Sequence, residues 1–85
     1  MSEKISEEDA ISMIAKVINE ENTVLVRDTA LEEVESWDSL GILLLMSELD
    51  ERFSITVTED QVTEIKTVGD IVDFMAKHDA IALLQ

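Results

Sequence analysis

The 85-residue chain has no cysteine and no proline, only two glycines, and few aromatic side chains: one Trp, two Phe and no Tyr. Without cysteine there is no disulfide framework, no thiolate nucleophile and no cysteine-bound zinc. The scarcity of proline and glycine disfavours tight-turned sheets and favours helices. With aromatics at 4%, a core must rest on Ile, Leu, Val and Met. Positive charge is also short: six Lys and Arg stand against twenty Asp and Glu, a formal net charge of −14. Such a surface repels nucleic-acid backbones and anionic membranes, and it attracts basic patches on partner proteins. No apolar run is long enough to span a bilayer, and Met1-Ser-Glu-Lys4 opens no secretory signal. The expectation is one monomeric, cytoplasmic domain over 1–85, with a helical core from about 5 to 78 and a tail over 79–85.

What is present is a series of helix signals. Ser6 stands three residues before Asp9, with Ile5 and Ala10 at staple positions, and Ala10, Ile11, Ile14, Val17 and Ile18 follow as one apolar stripe. The stripe stops at Asn19-Glu-Glu-Asn22. From Thr23 to Asp38 the periodicity is lost. Val24-Leu-Val26 has strand propensity but no evident partner, so the spacing predicts a long ordered loop pinned by Leu25, Val26 and Leu31, with Val34 a further candidate. A second helix is predicted from Asp38 or Ser39 to about Phe53, its core face made by Ile42, Leu45, Met46, Leu49 and Phe53. Ile55 and Val57 alternate with polar residues as an extended link. Thr58 with Gln61, and Thr67 with Asp70, read as capping boxes for a short helix carrying Val62 and Ile65 and for a last helix ending near His78. The fold class is all-α: a four-helix bundle with three longer helices, one short third helix, and a long loop between the first two.

Chemistry concentrates at Asp38-Ser39-Leu40. The tripeptide sits between the acidic segment Leu31-Glu-Glu-Val-Glu-Ser-Trp37 and the apolar run Gly41-Ile-Leu-Leu-Leu-Met46. A serine at the start of a helix is exposed, and the positive helix end favours an attached phosphate. Either Asp38 or Ser39 also suits the plain role of N-cap. The single histidine, His78, is remote from Ser39 in sequence and suits the C-terminal end of the last helix, so no Ser-His-acid constellation is indicated. Asp50, Glu51, Glu59 and Asp60 lack the spaced acids and central glycine of a calcium loop. Ser39 therefore reads as a substrate of another enzyme, not as a nucleophile, and the chain is not expected to be an enzyme. Leu40, Leu43 and Leu44 exceed what one buried stripe needs and mark a partner surface. An unmodified acidic helical adaptor, docking through these leucines, is the alternative reading.

The segment from Leu31 to Gly41 resembles the attachment segment of acyl carrier proteins and related peptidyl carrier domains. Leu49-Asp-Glu-Arg-Phe53, Ile55-Thr-Val57 and Thr67-Val-Gly-Asp-Ile-Val-Asp-Phe74 resemble the remainder of that family in order and spacing, from about Ile5 to His78. The resemblance implies that Ser39 carries 4′-phosphopantetheine, donated from coenzyme A by a phosphopantetheinyl transferase, and that acyl groups ride on the arm as thioesters. It implies an orienting role for Asp38, with Leu40 completing the motif. Leu40, Leu43 and Ser47 fall at positions that meet partner enzymes, and Asp50 and Glu51 at acidic positions that meet basic docking patches; Leu44 joins this partner surface through the apolar excess of the helix alone. Ile42, Leu45, Met46, Leu49, Val57, Val62 and Ile65 fall where an acyl chain shelters. Gly41 and Leu44 depart from the pattern, standing where carriers for housekeeping fatty-acid synthesis have acidic residues. With Trp37, they imply a specialised member with its own partner set, in a lipid, polyketide or other secondary-metabolite, or surface-glycan pathway.

Overall fold

The computed structural model describes residues 4–20 and 24–81. Among these are four helices, α1 (Glu7–Val17), α2 (Ser39–Phe53), α3 (Glu59–Glu64) and α4 (Val68–Lys77), with a single 3₁₀ turn at Leu31–Glu33. The described residues form no strand. They form two isolated bridges, Ile5 with Ile81 and Ala30 with Thr67.

The caps lie where i to i+3 spacing places them. Ser6 accepts from the Asp9 amide in α1, and complete capping boxes open α3 (Thr58, Gln61) and α4 (Thr67, Asp70). The C-terminal ends share another device. Asn19, Ser54 and Asp79 all have positive φ, and the next residue in each case bonds back into its helix: Glu20 to Ala15 and Ala80 to Met75 over five positions, Ile55 to Leu49 over six. At the ends of α1 and α4 this is the Schellman arrangement, made here without glycine.

The core joins Ile14 and Ile18 to Leu45, Leu49 and Phe53 of α2 and to Val68, Ile71, Val72 and Met75 of α4. Ile55 and Val57, after α2, are buried as well. α1 packs against both α2 and α4. Met13, which the α1 stripe did not include, is also buried. The chain after α4 does not extend the helix: Ala80 and Ile81 turn back into the core, and the Ala80 carbonyl accepts from the Ile5 amide. Residues 82–85 of the predicted tail lie outside the described residues, as do 1–3 of the N-terminal reading and Glu21 to Thr23 around the end of the α1 stripe.

The long loop is ordered by backbone bonds that the sequence does not display. The carbonyls of Arg27 and Thr29 accept from the Gly69 and Val68 amides, at 2.8 and 3.1 Å, and the Leu31 amide donates to the Lys66 carbonyl at 2.9 Å. The loop thus satisfies two of the unpaired first-turn amides of α4. Leu25, Leu31 and Val34 are buried pins. Val26 is not: it is 52% exposed. A turn closed by the Thr29 amide on the Val26 carbonyl, and by the Val26 amide on the Thr29 hydroxyl, faces Leu25 inward and Val26 outward.

Candidate functional site

The chain approaches α2 through consecutive tight turns. Val34 donates to the Leu31 carbonyl, Trp37 to Val34, and Asp38 to Ser36, all at 2.9 to 3.0 Å. Asp38 is extended (φ −126°, ψ −170°), and its carboxylate accepts from the Gly41 amide at 2.9 Å. Asp38, not Ser39, is therefore the N-cap. Ser39 is the first helical residue, exposed, and among the described residues no capping bond engages its hydroxyl. The segment just before it is tied back to the end of α1, because the Ser36 hydroxyl donates to the Glu20 carboxylate.

Beyond the serine, α2 presents two unlike faces. Leu45, Leu49 and Phe53 are buried, whereas Leu40, Leu43 and Leu44 are 64%, 62% and 45% exposed. Ser47, Asp50 and Glu51 are exposed beside them. A 15-residue helix at 3.6 residues per turn makes both stripes continuous.

A groove of about 550 Å³ runs between the loop, the start of α2 and α3. It brings together Ile42, Val62 and Ile65 of the expected lining with Leu31, Trp37, Lys66 and Thr67, among others. Leu45, Leu49 and Val57 are placed in the core, and Met46 is half-buried against it. Trp37 is half-buried on the same core and walls the groove, so loop packing and groove lining are one placement. Leu31 and Thr67 are linings that sequence reasoning missed; the Ala30–Thr67 bridge that brings them together has no local signal.

His78 and Arg27 serve the frame. His78 caps α4, its Nδ1 3.0 Å from the Phe74 carbonyl and its ring against Phe74. Arg27 pairs with Glu7 of α1 and with Asp73 of α4, the latter at 2.7 Å. The hydrogen bonds that the guanidinium donates to Asp73 and then to Glu7 hold it above its ordinary pKa. No three His, Asp or Glu side chains among the described residues gather as metal ligands.

A small acidic bundle with one bare serine at a helix start, a leucine face beyond it and a groove beside it has the build of a carrier that other proteins handle. Residues 8–75 match the phosphopantetheine attachment-site family. The chain is 31% identical over 67 residues to the acyl carrier protein of Exiguobacterium sibiricum, covering 79% of this chain and 85% of that one. It is 31% identical over 72 residues to the acyl carrier protein of Porphyromonas gingivalis, covering 85% and 92%. The solution structure of holo acyl carrier protein from Geobacter metallireducens aligns with a TM-score of 0.73 at 25% identity, covering 88% of this chain and 86% of that one. The chain belongs to the phosphopantetheine attachment-site family, among the acyl carrier proteins. Its prosthetic group is covalently bound 4′-phosphopantetheine.

The start of α2 suits that group. A phosphodiester there meets the positive end of a long helix, the serine hydroxyl is open to solvent, and the Asp38 carboxylate is turned onto the Gly41 amide.

Proposed function

We propose that Ser39 is the attachment residue and that the chain works as a single carrier domain, presenting acyl groups to partner enzymes without catalysing their chemistry. The observation that carries this reading is the division of labour at the helix start: Asp38 caps, which leaves the Ser39 hydroxyl exposed. In loading, Ser39 Oγ attacks the pantetheine-side phosphorus of coenzyme A. A new O–P bond forms, the pyrophosphate bond breaks, adenosine 3′,5′-bisphosphate leaves, and the hydroxyl proton passes to a base of the transferase. The bound arm supplies a terminal thiol, which holds acyl groups as thioesters. Everything else is asked of the chain itself. Asp38 fixes the first turn, and Leu40, Leu43, Leu44, Ser47, Asp50 and Glu51 form the docking face for the transferase and the acyl-handling enzymes. The acidic surface steers basic docking patches, and tethering keeps the cargo near its next enzyme at concentrations on the order of millimolar.

Ile42, Val62 and Ile65 offer a groove for an apolar cargo next to Ser39, with Met46 alongside. Leu45, Leu49 and Val57 reach a cargo only if the helices part. The uncharged Gly41 and Leu44 support a dedicated set of partners. No described helix is long and apolar enough to cross a membrane; we place the carrier's work in the cytoplasm. The leucine face of the adaptor alternative is the docking face here, so it does not favour that reading.

The test is intact-protein mass spectrometry after incubation with coenzyme A, magnesium and a broad-specificity phosphopantetheinyl transferase. One phosphopantetheine increment is expected on the parent and none on folded Ser39→Ala. An increment on Ser39→Ala sinks the assignment.

A further inference from the structure

Gly41 occupies the third position of α2, where any other residue except proline would raise helix propensity. It is buried, and its environment explains the glycine. A Cβ at this position would stand 2.3 Å from the Ser36 carbonyl oxygen and 3.4 Å from its carbonyl carbon. Real Cβ atoms essentially never come so close, and the obstacle is backbone, which cannot swing aside as a side-chain tip does. Nor is that backbone loose. The same Ser36 carbonyl accepts the Asp38 amide at 3.0 Å, the Trp37 amide is held by the Val34 carbonyl at 3.0 Å, and the Ser36 hydroxyl is held by Glu20. Trp37 is packed on the core. The approach segment is thus pressed against the first turn of α2 at the one place where the helix has no side chain. Two residues later in the chain comes Asp38, whose carboxylate bonds the Gly41 amide, and then Ser39.

We infer that Gly41 is a positioning residue for loading: its bare Cα seats the Ser36 carbonyl on the helix, and that seat sets the direction in which Ser39 is offered to the transferase. The inference rests on Ser39 being the attachment residue. The missing acidic side chain at 41 is then a matter of local geometry as well as of partner charge. A Cβ there pushes the Ser36–Asp38 segment outward and turns the serine oxygen away from the in-line approach to phosphorus. It leaves Leu40, Leu43 and Leu44 on an unaltered helix. Docking survives while delivery of the nucleophile suffers.

The experiment measures steady-state loading of the full chain by a broad-specificity phosphopantetheinyl transferase with coenzyme A, varying the carrier concentration. The parent, Gly41→Ala, Ser36→Ala, the double variant and Ser39→Ala are compared, with helical circular dichroism as the fold check. Gly41→Ala is expected to fold and to load with kcat lowered roughly tenfold or more, while KM stays within about twofold. Ser36→Ala keeps the carbonyl but loses the tie to Glu20, so its kcat falls less. In the double variant the loss from Gly41→Ala shrinks, because a released segment can step aside. Parent-like kinetics for folded Gly41→Ala, or a rise in KM alone, overturn the inference and leave the Ser39 assignment standing. If Gly41→Ala does not fold, Ser36→Ala decides: lowered kcat at constant KM supports the seat, and parent-like loading overturns it. Loading of Ser39→Ala removes the attachment reading, and this inference with it.

Discussion

Asp70 shows how much one side chain carries at the residue scale. Its carboxylate accepts from the Lys66 amide at 2.8 Å and the Thr67 amide at 3.1 Å, while its own amide donates to the Thr67 hydroxyl. The bond from the Lys66 amide is the main cause that lowers its pKa below the ordinary carboxylate value. A depressed folded pKa means that the stabilisation is present above the unfolded carboxylate pKa and is lost as pH falls through the folded value. Asp70→Ala is therefore expected to destabilise at neutral pH, by less than about 1 kcal/mol because solvent screens this carboxylate, with the gap to the parent closing in acid. Urea unfolding at pH 7 and near pH 3 checks this; a gap that stays constant refutes it. Capping residues of this kind were legible because a cap depends only on neighbours three positions away. Asp38 and Ser39 could not be ranked as caps because both residue types serve, and the choice turned on the backbone bend made by 34–38. Gly41 was legible only as a missing charge, since its neighbour Ser36 lies across a turn that sequence patterns do not reveal.

At the scale of elements, α2 sets adjacent leucines to opposite tasks. Leu44 is 45% exposed and Leu45 only 3%. Leu45→Ala is expected to destabilise the fold by roughly 2–5 kcal/mol, and Leu44→Glu by less than about 0.5 kcal/mol. Loading and acyl transfer should show the reverse order, Leu44→Glu weakening encounters with basic-patched partners through its loss of apolar contact. Chemical unfolding paired with a transfer assay separates the two, and a strongly destabilised Leu44→Glu contradicts the assigned face. Periodicity made both stripes legible in advance. It could not say which stripe a small bundle leaves uncovered without the number and placement of the other helices. The loop between α1 and α2 was legible as ordered from its apolar residues. The Val26 assignment failed because a turn, closed by Thr29, reverses the inward face within one residue.

Across the whole molecule, fourteen excess negative charges share a body whose extents are 33 × 26 × 19 Å. Arg27 bridging Glu7 and Asp73, and Lys4 with Asp79, offset this repulsion locally, through exposed pairs that salt screens. The Debye length shrinks from about 30 Å at 0.01 M to about 10 Å at 0.1 M salt, less than the shortest extent of the molecule. Repulsion summed over so many charges outweighs a few exposed pairs, so added salt is expected to raise the thermal midpoint, by roughly 4–8 °C for each kcal/mol of repulsion relieved. The same salt slows association with the transferase. A midpoint that falls with salt would assign stability to the Arg27 pairs instead.

The sequence by itself determined the helical class, the caps of α1, α3 and α4, the two stripes of α2, the acidic surface and the motif around Ser39. These are properties of local spacing and of summed composition, and they need no contact between distant residues. The tertiary structure decided that Asp38 caps while Ser39 stays open, that the loop bonds the first turn of α4, that the groove closes with Leu31, Trp37 and Thr67, and that Gly41 seats the Ser36 carbonyl. Each of these rests on backbone groups meeting across a turn or between elements. Every residue presents the same amide and carbonyl, so such meetings leave no mark in the letters of the chain.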